Sequence, residues 1–122
     1  MMAEWGLPDD AFRHLDHLRL TWLCLRRVGL EAGTQRVAQG IRSFALCQGV
    51  PEKYHETLTR VWVRLVAAAA REPAAAGSFA SFLKVHPELG DKDYPYSFYR
   101  RATLDSPEAR AAWVEPDLAP LP

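Results

Sequence analysis

Apolar residues in the first half of this chain recur every three or four positions, and glycine or proline interrupts them. Leu18, Trp22, Leu25 and Val28 form one such stripe. Asp9 or Asp10 can cap this first helix, and Gly29 stops it just past Val28. A second helix begins near residues 32–34 and carries Val37, Ile41 and Phe44 on one face. It ends at Gln48-Gly49, where glycine suits the left-handed residue beyond a helix end. Pro51 fits the first position of a third helix, which runs to about Arg71 and is closed by Pro73.

Shorter elements follow. Residues 74–78 read as a small-residue linker, and Ser78 can cap a brief helix through Phe79, Phe82 and Leu83 to about Val85. His86-Pro87-Glu88-Leu89-Gly90 is a turn, residues 96–104 read as a further helix, and Ser106-Pro107 opens a last one through Trp113. No segment alternates at period two for long enough to make a strand. The expectation is one all-α domain over residues 1–122: a small bundle of three long helices with two or three short ones. An N-terminal arm (1–8) and an extended, proline-rich tail (115–122) flank it.

Length and charge narrow the function classes. At 122 residues the chain can bury a core without disulfides or metals to hold it together. Fifteen basic and fifteen acidic residues cancel, which argues against nucleic acid or an anionic membrane surface as partner. Arg13, Arg19, Arg26 and Arg27 spread over the polar side of the first helix and read as a solvated face. Cys24 and Cys47 have no metal or redox spacing and fit a reducing cytoplasm. The N-terminus has neither the basic nor the apolar region of a signal peptide, and no apolar run reaches the roughly 18 residues of a membrane span.

Candidate chemistry lies on the apolar faces. At roughly 100° per residue, His14 and His17 sit one turn apart on the first helix. Asp10 and Thr21 share their stripe, while Asp16 points away. On the third helix His55 aligns with Thr59, Trp62 and Val66, and Glu52 precedes it by three residues. Such a Glu-x-x-His is the local unit of carboxylate-bridged di-iron bundles, but it occurs once here. The second helix offers no buried acid, so a paired iron centre is disfavoured.

The residues suit a mononuclear site instead. His14, His17 and His55 are its ligands, with Glu52, Glu56 or Asp10 as a fourth, and Glu52 or Glu56 is the candidate catalytic base. Imidazoles with a carboxylate and an open position favour iron or copper and also suit zinc, nickel or manganese. Oxidation of a small-molecule substrate is the first expected reaction, and hydrolysis or hydration the second. The alternative is a non-catalytic interaction or ligand-binding module in which the histidines are hydrogen-bonded core residues.

Tyr54, Tyr94, Tyr96 and Tyr99 could wall a pocket with Trp22 and Trp62, although aromatic packing explains them equally well. His86 reads as a surface residue in its turn, and Arg100-Arg101 as solvated. No phosphate loop, nucleophile elbow or dinucleotide fingerprint is present. A three-helix bundle can complete its core by pairing, so a homodimer is among the expected partners.

Three stretches carry a resemblance: Phe12-Arg-His14-Leu-Asp-His17-Leu-Arg-Leu-Thr-Trp22, Tyr54-His55-Glu56-Thr-Leu-Thr-Arg-Val-Trp62 and the closing segment from Trp113. They look like a set of small bacterial proteins of unassigned function, over most of the chain. The resemblance implies no particular activity.

Overall fold

The structure is a computed structural model that describes residues 11–71 and 77–122, with side chains from His14 onward. The described residues are all-α, with helices and turns and no strand. The long element α1 (Ala11–Cys47) is broken at Gly29, whose φ of 85° and ψ of −178° are not helical. This region of backbone is open essentially only to glycine. A Cβ added at Gly33 would lie 3.0 Å from Leu25 Cδ2 and 3.5 Å from the Leu25 backbone. In a straight helix, residues eight apart are separated by about 12 Å. The chain therefore turns back sharply at Gly29, and the arms 11–28 and 30–47 meet backbone to backbone at Leu25 and Gly33.

Each arm buries one stripe. His14, His17, Leu18, Thr21 and Trp22 face inward on the first, and Gly33, Val37, Ile41 and Ala45 on the second. Asp16 and the arginines at 19, 26 and 27 are exposed, as their wheel positions predict. The second arm ends at Gly49, with φ of 75°. There the Val50 N–H reaches back to the Ala45 carbonyl and the Gly49 N–H to that of Leu46, a glycine-terminated helix cap.

The central helix α2 (Glu56–Ala69) is buried on nearly every side, with Leu58, Val61, Trp62, Val63, Leu65 and Val66 at most 4 % exposed. A helix with so wide an apolar face belongs in the middle of the packing, and both arms of α1 touch it, through His14 on Trp62 and Arg42 on Glu56. The short helix α3 (Phe79–Val85) is capped by Ser78, as expected, and seats Phe79 and Phe82 against Trp22, each at 5.9 Å between ring centres.

Three boundaries differ from the sequence expectation. Pro51 does not open the third helix. It opens a single 3-10 turn (Pro51–Lys53), Tyr54 and His55 are extended, and α2 begins at Glu56. The helix expected over 96–104 is divided into a 3-10 turn (Tyr94–Ser97) and the one-turn α4 (Arg101–Leu104). Its backbone is diverted to the tail: the Phe98 carbonyl accepts from the Leu118 N–H, and the Arg100 N–H donates to Asp117. The last helix, α5 (Pro107–Ala111), has the expected Ser106 cap and stops before Trp113. Asp9, Asp10, the arm 1–8 and Pro73 lie outside the described residues. No described helix is long and apolar enough to cross a membrane.

Candidate functional site

The break before α2 decides what His55 does. Because its backbone is extended (φ −127°, ψ 108°), the side chain folds back over the first turn. Nδ1 accepts the Leu58 N–H at 3.0 Å, an N-cap made by imidazole instead of the usual hydroxyl or carboxylate. That fixes the proton on Nε2, which donates to the Leu104 carbonyl at 2.6 Å. Both ring nitrogens are occupied. Burial lowers the His55 pKa, and the nearby Arg110 charge lowers it further against the Leu104 bond and Asp105.

Glu52 does not sit beside this imidazole. The two residues were expected one turn apart on a helix, but the extended Tyr54–His55 link separates them and Glu52 is exposed in the 3-10 turn. His14, 1 % exposed, donates from Nε2 to the Leu89 carbonyl at 3.0 Å and meets the Trp62 ring edge-on at 4.6 Å. Burial depresses its pKa, with the Leu89 bond and Asp91 opposing. His17 is buried on the same stripe, and its carbonyl accepts from the Thr21 hydroxyl. Among the described residues no three His, Cys, Asp or Glu side chains converge into a group that could hold a metal. The expected set His14, His17, His55 with Glu52 or Glu56 is thus not assembled in this arrangement. Asp10 lies outside the described residues.

Glu56, the other candidate base, is only 8 % exposed and heavily partnered. Its Oε1 accepts from the Tyr54 hydroxyl at 2.8 Å and Arg42 Nη2 at 3.0 Å, and its Oε2 from Arg60 Nε at 2.6 Å. Burial would raise its pKa, but these donors and the two arginine charges outweigh it and hold the carboxyl below the usual range. Tyr54 is pushed up to about 12 by burial and by Glu56, and Arg42 stands over its ring at 4.8 Å. A carboxylate so held is a poor proton acceptor at neutral pH. The arrangement ties the second arm of α1 to the start of α2.

Around these residues the start of α2 grips the chain's last third. Thr57 donates to the Ala112 carbonyl and accepts the Val114 N–H, and Arg110 donates to the Lys53 carbonyl. Tyr99, fully buried, donates to the Val114 carbonyl at 2.6 Å. The aromatic residues 54, 94, 96 and 99 pack into the core or onto its edge, and none of them lines the cleft described below. His86, expected at the surface, is half-buried beside Phe82, with Nδ1 3.6 Å from Glu88.

A cleft of about 810 Å³ runs between the second arm of α1, α2 and the tail. Leu30, Ala38, Ala67 and Leu121 supply its apolar lining, Arg60 and Arg64 enter from α2, and Arg71 enters from just past its end. The Arg64 guanidinium stands over the Trp113 ring at 4.5 Å, and the Trp113 indole N–H donates to Glu115 at 2.6 Å. Sequence reasoning passed over this site, although a signal was present. Arg60, Arg64 and Arg71 stand four and seven residues apart, a spacing that puts them on one face of the expected third helix.

No protein-family model, curated protein or solved structure matches this chain.

Proposed function

We propose that this protein is a non-catalytic helical binding module whose core histidines are structural. The observation that carries the reading is His55, with one ring nitrogen capping α2 and the other holding the Leu104 carbonyl 49 residues away. His14 acts alike on Leu89, 75 residues away. A neutral imidazole bonded to the backbone on both sides, as that of His55 is, has no lone pair to give a metal or a substrate proton. The paired state of Glu56 supports the same reading, because its carboxylate is committed to Arg42, Arg60 and Tyr54.

Metal content of untagged protein tests this directly. The expected result is sub-stoichiometric metal that does not change in a His14→Ala/His55→Ala variant. Stoichiometric iron, copper or zinc that is lost in that variant would restore the mononuclear enzyme reading, with His14, His17 and His55 as ligands.

A further inference from the structure

We propose that the cleft between the second arm of α1, α2 and the tail binds a small amphipathic carboxylate. The inference deepens the binding-module reading by naming its site and ligand class. At about 810 Å³ the cleft has the size of a small-molecule site. Leu30, Ala38, Ala67 and Leu121 form a surface for an apolar body. The basic groups lie on one side: Arg60 and Arg64 project from α2 and Arg71 from just past its end, while Glu31, Thr34 and Gln35 lie on the α1 wall.

The charges differ in what they already hold. Arg60 is engaged by Glu56, and Glu115 by the Trp113 indole. Among the described residues Arg64 and Arg71 have no carboxylate partner, and Glu31 has no cation. Arg64 and Arg71 are therefore the guanidinium groups of the lining still open to a carboxylate, and the apolar lining favours an acid with an apolar body over inorganic phosphate. The Trp113 ring under the Arg64 guanidinium restrains that side chain, and no carboxylate among the described residues takes up its donors. That geometry takes a carboxylate through two parallel bonds. The acid's charged end therefore lies at Arg64 and Arg71, with its apolar end toward Leu30 and Ala38.

Nitrogen-15-labelled full-length protein, titrated with phenylacetate, phenylacetamide and inorganic phosphate, tests the assignment. The Trp113 indole N–H resonance is the local reporter. Phenylacetate is expected to give a saturable shift there, with the neutral amide and phosphate each bound at least about tenfold more weakly. Arg71→Ala, at an exposed residue without a partner, is expected to weaken phenylacetate about tenfold, and Arg64→Ala at least as much. Arg64→Lys keeps the charge but loses the fork, and should fall between Arg64→Ala and the unaltered protein.

Equal binding of acid and amide would overturn the proposal, as would tighter binding of phosphate or an undiminished shift in Arg71→Ala. So would the lack of any saturable shift up to about 10 mM phenylacetate. Metal bound at the histidines would instead overturn the structural-histidine reading and leave this titration's outcome standing.

Discussion

His55 and Glu56 are neighbours in the chain, begin the same helix and are both buried, and burial works against the charge of each, yet one ends neutral and the other ionised. His55 meets two backbone groups and becomes a neutral ring, its pKa lowered mainly by desolvation. Glu56 meets two guanidinium groups and a phenol, and its carboxyl stays ionised although desolvation opposes it. What surrounds a titratable group, and not its depth alone, decides whether it keeps its charge. The contrast also separates two structural tasks. His55 attaches the C-terminal third to α2, whereas Glu56 ties α2 to the second arm of α1.

The strongest way to break this contrast is His55→Ala. It removes the cap, leaves the Leu104 carbonyl without its donor and opens a void, so a loss of about 2–4 kcal/mol in denaturant unfolding is expected. His55→Asn should recover roughly 1 kcal/mol of that, because asparagine can cap the helix but cannot reach Leu104 as well. A loss below a few tenths of a kcal/mol for His55→Ala would contradict the capping role.

Glu56→Ala comes next, at about 1–3 kcal/mol, since it deprives the Tyr54 hydroxyl of its acceptor while the half-exposed arginines regain water. The pH profile then separates the two residues. A lowered histidine pKa means that the unfolded chain binds more protons, so the contributions of His14 and His55 are complete above about pH 6.5 and decline below it. The Glu56 contribution is complete above about pH 4.5 and declines below that. Thermal unfolding between pH 7 and pH 3 should show two declines, and His55→Asn should weaken the upper one alone. Smallest of all is Arg42→Ala. Its side chain is 57 % exposed, and a cost under about 1 kcal/mol is expected from double-mutant cycles with Glu56.

The helical class was legible because apolar spacing and punctuation agreed at Gly29, Gly49, Ser78 and Ser106. The burial of His14 and His17 was legible on the wheel for the same reason, whereas His55 is buried as the extended residue that caps α2. Their partners were not. Leu89 and Leu104 offer backbone carbonyls, which every residue carries and no sequence pattern marks. Proline at position 51 signalled a helix start correctly in kind, but a 3-10 turn also accepts it, and Tyr54 and His55 then leave the helix path. That shift dissolved the apparent Glu52–His55 unit. The cleft was hidden for another reason: its walls come from three segments far apart in sequence, and only the spacing of Arg60, Arg64 and Arg71 could have been read locally.

The backbone character of the two histidine grips has a consequence for variation among related chains. His14 and His55 hold carbonyl oxygens that remain whatever side chain stands at positions 89 and 104. Exchange of one apolar residue for another there would alter packing without demanding a compensating change at either histidine. These two long-range attachments, which fasten the last third of the molecule to its helices, should therefore leave little covariation. Contact inference from paired substitutions would miss them even where the histidines themselves never change.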